Sequence, residues 1–101
     1  MGGSAPRAGC TVVVSASDDS YVEHLAWSQL DLDTHLRNIA EHWTTTHGAP
    51  AGSMEFDVAT PSGKFLFRPA PLTLTVEQVG GTPLGEIHLI AVPVGEYGSN
   101  P

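Results

Sequence analysis

The sequence predicts an α+β fold: one small domain in which a mixed sheet of four to five strands packs against one main helix. Three observations carry this. The only long stretch with helical periodicity runs from Leu32 to Trp43, where Leu32, Leu36, Ile39, Ala40 and Trp43 fall on one face. Short β-branched or alternating runs lie on both sides of it. At 101 residues the chain suits a single domain with one modest core.

Residues 1–9 are small and flexible in composition and are expected to be a tail. Cys10–Ala16, CTVVVSA, reads as a buried strand, and Ser17-Asp-Asp-Ser20 as a turn. Tyr21–Leu30 fits two periods. By twos, Tyr21, Glu23, Leu25 and Trp27 share a face; by helical spacing, Val22, Leu25, Ala26, Gln29 and Leu30 form a stripe, and Ser20 with Glu23 mimics a capping box. A strand hairpin with Cys10–Ala16 is favoured because a clear helix follows at once. Asp31 or Asp33 is expected to cap that helix, and Gly48 and Pro50 to stop it.

Met54–Val58 alternates, which sends Met54, Phe56 and Val58 inward. Thr60-Pro-Ser-Gly63 is a turn, and Lys64–Arg68 the return strand. Pairing Ala59 with Lys64 sets Val58 opposite Phe65 and Phe56 opposite Phe67. Arg68-Pro-Ala-Pro71 breaks the sheet. Thr75-Val-Glu-Gln78 has capping-box spacing, so a single helical turn starts there, and Gly80-Gly81 ends it. Glu86–Val94 is apolar on both faces and reads as the central strand, with pairing stopping at Pro93. The domain is thus expected over residues 10–94, and residues 95–101 as a second tail.

The run from Leu72 to Leu89, LTLTVEQVGGTPLGEIHL, resembles the end of a ubiquitin-like β-grasp domain. Leu74, Val79, Ile87 and Leu89 stand where that family places apolar residues around a short helical turn and the middle strand. The likeness spans about Thr11 to Val94. Bacterial relatives of this shape include YukD/EsaB-like proteins of type VII secretion, sulfur carriers and regulatory subunits of diiron oxygenases. Conjugating members require a terminal glycine pair. Here Gly80-Gly81 precedes the last strand, and cutting there would remove the centre of the sheet. The resemblance therefore implies a non-covalent interaction module. Its leading form is an accessory of type VII secretion. Alternatives are an oxygenase subunit, an acidic immunity or inhibitor protein, and a modifier or sulfur carrier after processing.

No residue set reads as an active site, and the expectation is a non-enzyme with no cofactor, no metal and no evident small-molecule substrate. Gly80-Gly81 lacks the Lys-Ser/Thr and the helix start of a phosphate loop. Asp31, His35, Asn38 and His42 line one flank of the helix, but His35 and His42 are about 10 Å apart by helical rise, too far for one metal; His47 sits at the helix end, where a cation is favourable. Asp18-Asp19 reads as turn rather than acid/base pair. Cys10, the single cysteine, excludes an internal disulfide and a cysteine-based zinc site. Four Lys+Arg against eleven Asp+Glu give a net charge of −7, which disfavours nucleic acid and anionic membrane. The first ten residues lack an apolar stretch, so a signal peptide is not expected and a cytoplasmic location is. The functional candidate is a protein-binding patch on the sheet: Leu66, His88, Ile90 and Val92, outward if Ile87 and Leu89 face the core.

Overall fold

The computed structural model describes residues 9–16, 24–50 and 52–94. The expected tails (but for Gly9), the Ser17–Ser20 turn with Asp18-Asp19, and Tyr21–Glu23 lie outside them. The elements follow in the order β1 (Cys10–Ala16), β2 (His24–Leu30), α1 (Leu36–Thr46), β3 (Met54–Ala59), β4 (Phe65–Phe67) and β5 (Glu86–Pro93). The sheet has five strands in the order β2-β1-β5-β3-β4. β5 is central as expected, parallel to β1 and antiparallel to β3. The ambiguous segment is a strand over His24–Leu30, antiparallel to β1.

One side of the sheet carries the core. Cys10, Val12 and Val14 of β1, Ile87, Leu89 and Ala91 of β5, and Phe56 and Val58 of β3 meet Leu36, Ile39, Ala40 and Trp43 of α1. Trp43 meets Phe56 edge to face at 5.8 Å between centroids, a favoured aromatic geometry. Val76 and Val79, from the segment before β5, close the same core.

The helix begins four residues later than its apolar stripe. Leu32 packs on the core from a turn that precedes the helix. Neither Asp31 nor Asp33 caps α1: the N-cap is His35, which makes no side-chain cap bond. The physical reason is that the first helical N–H groups already have partners. Leu36 N–H donates to the Leu74 carbonyl (2.9 Å) and Arg37 N–H to that of Leu72 (3.0 Å). Backbone from a distant segment thus satisfies donors that a side chain usually takes. At the other end Gly48 is left-handed, φ 73°, as a helix stop requires.

The 75–78 capping box forms as expected. Thr75 N–H donates to Gln78 Oε1 (2.8 Å), and Gln78 N–H to Thr75 Oγ1 (3.2 Å). Gly80, φ 111°, ends the turn. The β3–β4 register differs from the expected one. Ala59 pairs with Phe65 and Val58 with Phe67, with a bulge between them. The turn accounts for one step of the shift: Thr60 N–H donates to the Lys64 carbonyl, so Lys64 is spent on Thr60 and not on Ala59. The bulge, two residues of β4 against one of β3, supplies the second step.

Candidate functional site on the open face of the sheet

The pairing register decides which side chains point away from the core. Along β5 these are Glu86, His88, Ile90 and Val92; they align with Thr11, Val13 and Ser15 of β1, and with Glu55, Asp57 and Ala59 of β3. Three of the four expected patch residues, His88, Ile90 and Val92, therefore share one face of one strand. His88 and Ile90 are half-buried and Val92 is buried. Leu66 stands apart on β4, beyond β3. Its Cδ1 lies 3.2 Å from where a Cβ on Gly80 would be, which sets it beside the 75–80 turn.

The one-step shift at the turn brings a different side chain onto the open face. Phe65 pairs with Ala59, which in turn pairs with His88, so Phe65, 43% exposed, continues the row that His88 begins. The Arg68 guanidinium lies 4.1 Å from the centroid of the Phe65 ring, and its Nε is 3.4 Å from Asp57 Oδ2. Asp57 is buried, 1% exposed. Burial pushes its carboxyl above the ordinary aspartate value, and the Arg68 charge opposes that rise. Arg68 is thus held at one end by a buried carboxylate and spread over an aromatic ring. That arrangement gives a rigid cation with apolar surface beneath it. At the far end of the face, His88 Nε2 and Glu86 Oε2 are 2.7 Å apart.

Phe65, Arg68 and Asp57 were missed by the sequence reading, yet a signal was present. The expected register leaves Asp57 opposite Leu66, a buried carboxylate facing an apolar side chain. Shifting it by two sets Asp57 opposite Arg68, and that charge pair marks the true register.

Among the described residues, no other region offers convergent chemistry. A groove of about 350 Å³ lies between α1 and the start of β3, lined by Arg37, Ala40, Glu41, Thr44, Met54 and Phe56 among others. Thr44 spends its hydroxyl on the Ala40 carbonyl at 2.7 Å. Of the flank histidines, His35 and His42 are both exposed; His42 meets Trp27 edge to face at 4.5 Å. His47 stacks on Trp43, and its Nδ1 lies 2.9 Å from the Trp43 carbonyl. Among the described residues, no three His, Cys, Asp or Glu side chains group as metal ligands. Cys10 is fully buried, and desolvation raises its thiol pKa. No described helix is long and apolar enough to cross a membrane.

Solved structures were found that share this architecture. A ubiquitin-like domain from tubulin-binding cofactor B superposes with a TM-score of 0.61 at 9% identity, over 86% of this chain and 91% of that one. Trypanosoma brucei tubulin-binding cofactor B gives 0.60 at 15% identity, over 83% and 95%. The fold is ubiquitin-like. No protein-family model matches the chain, and no curated protein does. In the ubiquitin-like frame Gly80-Gly81 is an internal connection that leads into the central strand, and the open face is the side of the sheet opposite the helix.

Proposed function

We propose that this ubiquitin-like domain is a non-catalytic interaction module that takes a protein partner on the open face of its sheet. The observation that carries this is the row Phe65–Ala59–His88–Val13, with Ile90 beside it. It sets apolar and amphipathic side chains across four strands, on the side turned away from the core. Apolar area on a rigid sheet drives association. Aromatic residues, Phe included, and arginine are enriched at protein interfaces. The patch read from the sequence stands in this proposal as His88, Ile90 and Val92, with Leu66 at its margin and Phe65 and Arg68 added. The single cysteine, Cys10, is buried and so is not presented as a nucleophile. The specific form of the module that the sequence resemblance implies is a cytoplasmic accessory of type VII secretion of the YukD/EsaB kind.

The test is capture of partners by the tagged full chain in its own host, beside an Ile90→Asp variant. Partners that release on denaturation and vanish with I90D are the expected result. A partner kept by I90D, or a denaturation-resistant band containing both chains, overturns it. The identity of the captured protein separates a secretion ATPase from an oxygenase or a basic toxin.

A further inference from the structure

We infer that the open face takes a segment whose apolar centre is flanked by basic residues, Lys or Arg, about 20 Å apart. The inference rests on the proposed docking reading and adds the chemistry of the partner. Among the described residues, the register sets Glu55, Asp57 and Glu86 on the face, with Arg68 against Asp57. Asp57 and Arg68 form an ion pair, and the remaining charge is that of Glu55 and Glu86. These two carboxylates bracket the apolar strip. Glu55 is paired with Val92, six residues along β5 from Glu86. At about 3.3 Å per residue this is a separation of about 20 Å. Between them lie His88, flanked by Val13 on one side and by Ala59 and Phe65 on the other, and Ile90, flanked by Ser15 and by Asp57.

The face therefore offers two acidic ends and, between them, an apolar centre at Ile90 and Phe65 beside which the Asp57 and Arg68 charges offset each other. The separation exceeds the screening length of about 8 Å at physiological salt, so each end selects its own cation. Glu86 keeps 46% of its side chain exposed while it contacts His88, and Glu55 is half-buried, so both carboxylates still meet solvent. An acidic partner would place like charges at both ends, a juxtaposition that suppresses such partners at an interface. The net charge of −7 acts in the same direction at longer range, steering basic partners toward the chain.

Two synthetic peptides test this, each a helical Leu/Ala segment, one with lysines at both ends and one with glutamates there. They are titrated into the ¹⁵N-labelled full chain, into Glu55→Lys/Glu86→Lys, and into Ile90→Asp. The expected result is that the Lys-ended peptide shifts the amides of Val13, His88 and Ile90, at least about tenfold more tightly than the Glu-ended one. E55K/E86K reverses the preference, and I90D weakens both. Equal binding of the two peptides to the face, or a preference that E55K/E86K does not reverse, overturns the basic-partner inference and leaves the docking reading standing. Absence of shifts on the face with either peptide, or shifts confined to Arg37 and Leu72 at the groove, overturns both.

Discussion

A Cβ at Gly81 would collide with Cγ1 of Val76, stand 2.8 Å from the Val76 carbonyl oxygen and 3.3 Å from Cys10 Sγ. The Val76 carbonyl cannot retreat, because it accepts the Gly81 N–H at 2.8 Å. Gly81→Ala is therefore expected to cost about 2 kcal/mol or more, the range for overpacking a dense core; urea unfolding of the two proteins measures it. Cys10 tests the same packing from the other side. Its thiol is fully buried, with its pKa raised by desolvation, so a disulfide-exchange reagent should modify it only after unfolding. Reaction of the native protein at the rate of a free thiol would contradict that burial. Asp57 carries a pH signature. Its carboxyl binds a proton more readily in the folded than in the unfolded chain, because burial raises its pKa more than Arg68 lowers it. The folded state thus holds more protons between the ordinary aspartate value and the raised one, and stability falls as pH rises through that interval. Asp57→Asn is expected to lack this fall and Arg68→Ala to deepen it. Urea midpoints from pH 3 to 7, taken as differences from wild type, decide it.

At the scale of elements, the helix start and the hairpin register show what sequence can and cannot reveal. The α1 stripe, the 75–78 capping box and the central place of β5 were legible, because each rests on local spacing or on a run apolar on both faces. The cap was not. Asp33 has the residue type and position of a cap, but the Leu36 and Arg37 N–H groups are taken by carbonyls of Leu74 and Leu72, more than thirty residues away in sequence. No local pattern records such a contact. Asp33→Ala should consequently change stability by less than about 0.5 kcal/mol, where loss of a working cap costs about 1 kcal/mol; thermal or urea unfolding separates the two. The register was misread for a related reason. Phe65, Leu66 and Phe67 are all apolar, so hydrophobicity cannot tell which of them faces the core. The shift at the turn places Phe65 outward, the bulge keeps Phe67 inward, and with that choice the candidate face changes its membership.

Across the whole molecule, the proposed docking face makes the two sides of one strand divide stability from recognition, and neighbouring residues of β5 test the division. Leu89 is 1% exposed and packs in the core. Ile90, the next residue, lies on the open face and is half-buried. Leu89→Ala removes buried methyl groups and leaves a cavity, for an expected loss of about 2–5 kcal/mol. That is a large share of the roughly 5–15 kcal/mol that holds a domain folded, and it corresponds to a drop in Tm of at least about 8 °C at this chain length. Ile90→Ala removes a side chain already in partial contact with water and opens no enclosed cavity, so its cost should stay below about 1.5 kcal/mol. Partner capture should respond the other way. The Leu89→Ala protein, assayed at a temperature where it remains folded, keeps its partner; the Ile90→Ala protein, folded throughout, loses most of it. Paired melting curves and capture assays on the two variants measure both quantities. If Ile90→Ala melted as early as Leu89→Ala, residue 90 would belong to a second core, and the outward side of the sheet would be a packed interior rather than a docking surface.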